Sequence, residues 1–389
     1  MSAQAVAEGF LELPALASAH SHAFQRAMRG RGQRPGAESA SDDFWSWRKA
    51  MYALAESLTP ESVGKIARVA YAELRRRGVR TVGEFHYVHH QMGGSPYGDR
   101  TILADTMIRA AREEGLRIAL LRVVYRRAAV GRAPEGAQTR FADAKLEDAF
   151  RDIEALRAKH KDDPGVVIGV APHSVRAVSP DELREVARWA AQEKLLVHAH
   201  VAEQRAEITA CLAETKKRPV EHLADVGILS ERFVAVHATH LEAHEAKLLG
   251  ETRSRVCLCP TTERDLGDGL PDLGRLLEHG VGLSVGVDSH VVTSPLEDMR
   301  AIETGERLRT EKRVVAWRHA RGADAEREQT PAERLWQIGS IDTARACGFE
   351  DVGGVVRVRK DHPDLALVEE DNLLDALVFS ANADAIESS

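Results

Sequence analysis

What most constrains this chain is an alternation that recurs eight times. A short apolar segment ends in polar residues, and sequence with helical character follows it. The apolar segments end near residues 22, 86, 125, 173, 200, 237, 260 and 288. Helical stretches such as Thr59–Arg77, Ile102–Glu114, Leu146–Lys159 and Pro180–Glu193 lie between them. Ser179 before Pro180 is a helix start: a capping hydroxyl precedes a residue whose fixed φ and missing N–H suit the first helical position. Alternating strands and helices require a parallel sheet, and eight units predict a closed (β/α)8 barrel rather than an open sheet. In such a barrel the C-terminal strand ends build the active site, and the polar residues of this chain gather there. Beyond residue 290 the pattern predicts helices over 295–312 and 331–347. Two short strands, Val355–Arg359 and Leu365–Val368, are expected to follow. Residues 30–43 and 318–330 read as surface connections.

Composition narrows the function classes. The formal net charge of the 389 residues is −7, which leaves no basic footprint for nucleic acid. The arginines of Arg75-Arg76-Arg77 read as a solvated helix face. No apolar run reaches the ~20 residues of a membrane span, and the N-terminus lacks the pattern of a signal peptide. The four cysteines have no framework spacing, so reduced thiols and a cytoplasmic location are expected. Cys257 and Cys259 share a strand face and read as small core residues before soft metal ligands.

The strand ends carry a constellation. His20 and His22 alternate at the end of the first apolar run, which sets both imidazoles on one side. His200 ends the fifth segment and Asp288 the eighth. Three imidazoles and a carboxylate suit zinc, or ferrous iron. A zinc ion brings the pKa of a water to about 7 and makes a nucleophile available at neutral pH. Glu203, three residues after His200, is placed to move protons from that water to a leaving nitrogen. Asp288 would orient the nucleophile and take its remaining proton, and His237 would polarise the electrophilic carbon's substituent. The chemistry indicated is hydrolysis at a trigonal carbon, with loss of ammonia from an amidine-like group. The fourth segment ends Ala171-Pro172-His173 without a lysine to bridge a second ion, so one metal is expected. The aromatic run Phe44-Trp45-Ser46-Trp47-Arg48 reads either as a helix packing its aromatics into the core or as the setting of an anion anchor, Arg48. His86, His89 and His90 look like a second cluster and remain unassigned.

Together these segments resemble the amidohydrolase superfamily in its deaminase branch, and within it the formimidoylglutamate deiminases. The resemblance rests on His20-Ser-His-Ala-Phe-Gln-Arg-Ala-Met, Phe44-Trp-Ser-Trp-Arg, Ala171-Pro-His-Ser-Val-Arg176 and His200-Val-Ala-Glu-Gln. It continues in Val236-His-Ala-Thr-His, Cys259-Pro-Thr-Thr-Glu, Leu266-Gly-Asp-Gly and Val287-Asp-Ser-His290. It implies hydrolysis of N-formimidoyl-L-glutamate to N-formyl-L-glutamate and ammonia. His20, His22, His200 and Asp288 are then the zinc ligands, and Glu203 and His237 the catalytic pair. Gln25, Arg48, Tyr87, His173 and Arg176 are the substrate contacts. Two arginines suit a dicarboxylate, because a guanidinium binds a carboxylate through two parallel hydrogen bonds. The resemblance is compatible with a homodimer. It also implies a small β domain built from both chain ends. Here residues 14–350 read as the barrel, while residues 1–13 and 351–389 leave that domain reduced or absent.

Two other readings stand beside this one. A deaminase of the same branch acting on a ring such as guanine would need a flat, aromatic-lined pocket, which an aromatic content of 5% disfavours. A truncated barrel that binds its ligand without turning it over would lack the metal.

Overall fold

The computed structural model describes residues 9–33, 44–318 and 329–387. The expected connections at 34–43 and 319–328 lie outside the described residues, as do the side chains of Phe44, Trp45 and Ser46. The first apolar run does not form one strand. It divides at Ala15 into β1 (Phe10–Pro14) and β2 (Leu16–Ser18). Pro14 has no N–H for a central ladder, so the chain changes partners there. From β2 the sheet continues through β3 (Val79–His86), β4 (Arg117–Val124), β5 (Val166–Pro172), β6 (Val197–Val201), β7 (Phe233–His237), β8 (Arg255–Leu258) and β9 (Gly282–Val285). These eight strands pair in sequence order and in parallel, as the alternation predicts.

Closure occurs beyond the ends of β2 and β9. Ala19 N–H donates to Val285 O at 2.7 Å, Asp288 N–H to His20 O at 3.1 Å and His22 N–H to Asp288 O at 2.9 Å. The seam of the barrel is thus made by the residues that carry the candidate ligands. Two glycines allow the close approach. A Cβ on Gly83 would lie 2.4 Å from Ala19 O, and one on Gly286 would lie 2.6 Å from His20 Cβ. Backbone atoms cannot step aside as a flexible side chain can. Gly83→Ala is therefore expected to cost about 1–3 kcal/mol or more by overpacking. A thermal unfolding midpoint equal to the wild type's would refute this.

Amphipathic helices cover the outside. Thr59 caps the helix Pro60–Arg76, its hydroxyl accepting from Ser62 N–H, and Val63, Ala67, Ala70, Tyr71 and Leu74 form its buried stripe. Burying a side chain such as Leu74 contributes roughly 1.5–3 kcal/mol. Among the described residues no helix is long and apolar enough to cross a membrane.

The tail departs from expectation in part. β10 (Val355–Arg359) forms as expected and pairs antiparallel with β1, and β11 (Ile386–Glu387) completes a three-stranded sheet. Leu365–Val368 is not a strand. Pro363–Leu365 is a 3₁₀ turn capped by His362, and Leu367 sits at φ +65°, fully exposed. The alternation of Leu365-Ala-Leu-Val therefore has no sheet to face. The helix expected over 331–347 is interrupted by a π turn at Ile338–Asp342, where Thr343 Oγ1 donates to Ile338 O and accepts from Val285 N–H.

Candidate active site

Three imidazoles converge at the C-terminal mouth of the barrel. His20 Nε2 lies 3.2 Å from His22 Nε2 and 3.2 Å from His200 Nε2. The far nitrogens fix the tautomers: His22 Nδ1–H donates to Phe85 O at 2.9 Å and His200 Nδ1–H to His173 O at 3.1 Å. Both Nε2 atoms therefore present lone pairs. Burial keeps these rings neutral, and it pushes His22 down to about 3 with the help of neighbouring His20. Lone pairs facing one another at this distance repel unless a cation lies between them. Zinc binds imidazole nitrogen at about 2.0–2.1 Å, which puts two nitrogens of a tetrahedral site roughly 3.3 Å apart. Asp288 Oδ1 supplies the anionic donor, 3.5 Å from His20 Nε2 and 3.4 Å from His22 Nε2. Burial works against its charge, but the adjacent imidazoles of His20, His22 and His237 hold the carboxyl well below its ordinary range. The four residues fit one divalent cation.

His237, at the end of β7, stands beside this group. Its Nε2 lies 3.7 Å from Asp288 Oδ2 and 3.9 Å from Glu203 Oε1. Its Nδ1–H donates to Glu263 Oε1 at 3.2 Å, an oxygen that also accepts Cys259 N–H at 2.9 Å. Burial opposes protonation of His237. The carboxylates of Glu203, Glu263 and Asp288 outweigh it and raise the imidazole well above its usual range. His237 thus differs from its neighbours: it is a donor where they are acceptors.

Backbone conformation aims these groups. Ala202, His237 and Asp288, at or just beyond the ends of β6, β7 and β9, sit at φ +50°, +69° and +50°. Left-handed conformations in non-glycine residues cost free energy and cluster where function needs them. Ala202 N–H is held by Glu207 Oε1 at 2.9 Å, which fixes the turn immediately before Glu203. Burial raises the Glu207 carboxyl to about 7.

A cavity of about 230 Å³ opens above the imidazoles. Gln25, Arg48, Tyr87, His173 and Arg176 line it, together with Glu203, His237 and Asp288. All the residues expected at the site are therefore brought together, His20 lying buried beneath the cavity floor. Gln25 Nε2–H donates to Tyr87 OH at 2.8 Å, while its buried Oε1 has no partner among the described residues. Arg48 Nε–H donates to Tyr52 OH at 2.5 Å, and Arg176 Nη1–H to Ala128 O at 2.8 Å. Burial and the two guanidiniums keep His173 neutral.

The expectation drawn from aromatic content is overturned. Trp47, Tyr52, Tyr87, Tyr125 and Phe141 all line the cavity. A chain poor in aromatics has concentrated them at one place, so composition does not argue against a ring substrate. Sequence reasoning also missed Glu207 and Glu263. Glu263 stood within the quoted Cys259-Pro-Thr-Thr-Glu segment, and Glu207 lies one helical turn from Glu203. The histidines at 86, 89 and 90 form no second metal site. Arg122 is buried next to them, bound to Asp143 at 2.6 Å and to Asp152 at 2.7 Å, and its charge lies beside any cation placed there. All four cysteines are free and buried.

Imidazole and carboxylate donors gathered at the mouth of a (β/α)8 barrel define a class of metal-dependent hydrolases. Residues 12–388 match the amidohydrolase family, and the chain belongs to it. It is 35% identical over 378 residues to formimidoylglutamate deiminase of Pseudomonas aeruginosa, covering 95% of this chain and 80% of that one. It is 27% identical over 379 residues to 8-oxoguanine deaminase of the same organism, covering 97% and 77%. The crystal structure of an amidohydrolase from Brucella melitensis superposes with a TM-score of 0.86 at 34% identity, over 97% of this chain and 82% of that one.

Proposed function

We propose that this chain hydrolyses N-formimidoyl-L-glutamate to N-formyl-L-glutamate and ammonia. The observation that carries the reading is the charge pattern of one cavity. Glu203, Glu207 and Asp288 share its walls with Arg48 and Arg176. A substrate that is a cationic amidine beside two carboxylates matches both signs, and each guanidinium can hold one carboxylate through paired hydrogen bonds. The activity for which the Pseudomonas aeruginosa relative is named supports the same substrate.

His20, His22, His200 and Asp288 would hold one zinc ion. When bound, the ion supplies Lewis acidity that makes a water nucleophilic near neutral pH. Glu203 takes a proton as the water's oxygen bonds to the formimidoyl carbon, then delivers it to the terminal nitrogen. As that C–N bond breaks, ammonia leaves with the bonding pair and Asp288 accepts the proton remaining on the new oxygen, so a cationic amidine and water give a neutral formyl group, ammonia and one proton. His237 donates a hydrogen bond to the polar group that develops at the carbon, and Glu263 holds the ring in position through Nδ1. Gln25 and Tyr87 orient the amidine, and Arg48, Arg176 and His173 fix the remainder of the substrate.

The aromatic lining favours a second reading, hydrolytic deamination of a heteroaromatic ring, in keeping with the named activity of the second relative. A neutral ring would make no use of the two half-buried guanidiniums that line the cavity. Ammonia release from N-formimidoyl-L-glutamate, N-formimidoyl-L-aspartate and guanine, with metal measured on the same sample, separates the readings. Turnover of the glutamate compound well above the others is expected, and turnover of guanine alone would reject the proposal. A sample that neither holds nor takes up a divalent ion would support a non-catalytic barrel.

A further inference from the structure

Behind the three imidazoles lies a buried carboxylate for which the reaction has no use. Glu84, on β3, is 1% exposed. Its carboxylate accepts from Ser21 Oγ at 2.6 Å, from Tyr71 OH at 3.1 Å and from Ala23 N–H at 3.0 Å. Ser21 is fully buried and has a second partner, His290 Nε2 at 2.9 Å. Thr293 Oγ1 lies 3.1 Å from His290 Nδ1. With Thr293 donating to Nδ1, His290 Nε2–H donates to Ser21 Oγ, whose own proton goes to Glu84. Arg29 secures the far end, donating to His290 O at 2.6 Å and to Thr293 Oγ1 at 2.8 Å.

The positions of these residues give the network its meaning. Ser21 sits between His20 and His22, and His290 lies two residues beyond Asp288. Ser21 and Asp288 also face each other in an isolated parallel bridge, and Phe85 N–H donates to Ser21 O at 2.8 Å. Three of the four candidate donors therefore sit on two short segments, one following the first strand of the barrel and one following the last. Glu84 ties both to the second strand of the barrel. A carboxylate buried this deeply is costly unless fully hydrogen-bonded, and here the bonds it makes hold the segments that carry the donors.

We propose that Glu84, Ser21 and His290 are positioning residues for the donor set: they hold the backbone of His20, His22 and Asp288 at the spacing a single divalent cation requires, and so govern how long that cation is retained. This rests on the reading that the four donors bind one cation. Partners that orient metal ligands typically change metal affinity or activity by about 10–100-fold when removed.

The test is release of zinc from the loaded full-length chain to excess chelator, followed with a metal-sensitive dye. Ser21→Ala and Glu84→Gln are expected to release zinc roughly 10–100-fold faster than wild type. Tyr71→Phe removes a donor to the same carboxylate from the helix side, away from the donor segments, and is expected to release zinc close to the wild-type rate. Unfolding midpoints of the cation-free forms are compared in parallel. Release from Ser21→Ala and Glu84→Gln at the wild-type rate would overturn the positioning role while leaving the metal site intact. Equal acceleration in Tyr71→Phe, with equal loss of cation-free stability in all three, would show that the network serves the fold alone. A wild-type chain that takes up no zinc would reject the cation reading itself.

Discussion

Replacing Glu203 with glutamine lowers kcat by at least ~100-fold, the usual contribution of a positioned general acid–base group, and leaves the metal content unchanged. Glutamine has nearly the same shape, so the cavity keeps its form, but its amide cannot accept the proton that the attacking water must lose. The metal is expected to stay because the Glu203 carboxylate is not among the converging donors. Its oxygen is 3.9 Å from His237 Nε2, while the three imidazole nitrogens approach to 3.2 Å along each of the two contacts through His20. Losing the carboxylate also removes the largest of the charges that favour a protonated His237. The variant thus weakens the second catalytic group as well, and the loss is expected in kcat more than in KM. Steady-state kinetics with metal analysis on the same preparation checks both halves. Turnover near the wild-type level would remove Glu203 from the mechanism, and an empty metal site would mean that the glutamate supports the donors.

Much of this site was legible in the sequence because a parallel barrel leaves little freedom in where strand ends point. Once eight apolar segments are recognised, His20, His22, His200, His237 and Asp288 must share one rim. The seam was not legible. A run from Phe10 to Ala17 looks like one strand, and only the folded chain shows that Pro14 hands the pairing from β1 to β2. Nor were the buried carboxylates. Glu84 and Glu207 are recognisable only by what they hold, a serine hydroxyl 63 positions away and the backbone N–H of Ala202. A backbone donor leaves no mark on sequence pattern. The aromatic lining was hidden for a different reason. Composition counts residues without placing them, so it could not reveal that Trp47, Tyr52, Tyr87, Tyr125 and Phe141 meet in one cavity. The misread strand at Leu365–Val368 shows the converse: alternation without a neighbouring strand has no consequence.

In the proposed reaction the two arginines select the dicarboxylate, and Arg176→Met is the sharpest way to question them. Arg176 is anchored to Ala128 O at 2.8 Å, so its guanidinium is already in place before substrate arrives. Methionine keeps much of the apolar stem and removes the charge and the fork. Truncating one partner of a buried, hydrogen-bonded charge pair costs about 2–5 kcal/mol, and at about 1.4 kcal/mol per tenfold that is a loss of roughly 30- to 4,000-fold in kcat/KM for N-formimidoyl-L-glutamate. A carboxylate remote from the reacting carbon is bound equally in the ground and transition states, so the loss should lie mainly in KM. Arg176→Lys should fall between, because an ammonium keeps the charge but not the paired geometry. Substrates lacking one carboxylate complete the cycle. If Arg176 grips the side-chain carboxylate, N-formimidoyl-2-aminobutyrate will be as poor a substrate for wild type as for the variant, since the interaction is already gone. If it grips the α-carboxylate, the two losses will add. Arg176→Met that retains wild-type kcat/KM for the dicarboxylate would leave the anionic half of the substrate without its proposed anchor, and the aromatic walls would then favour a neutral ring.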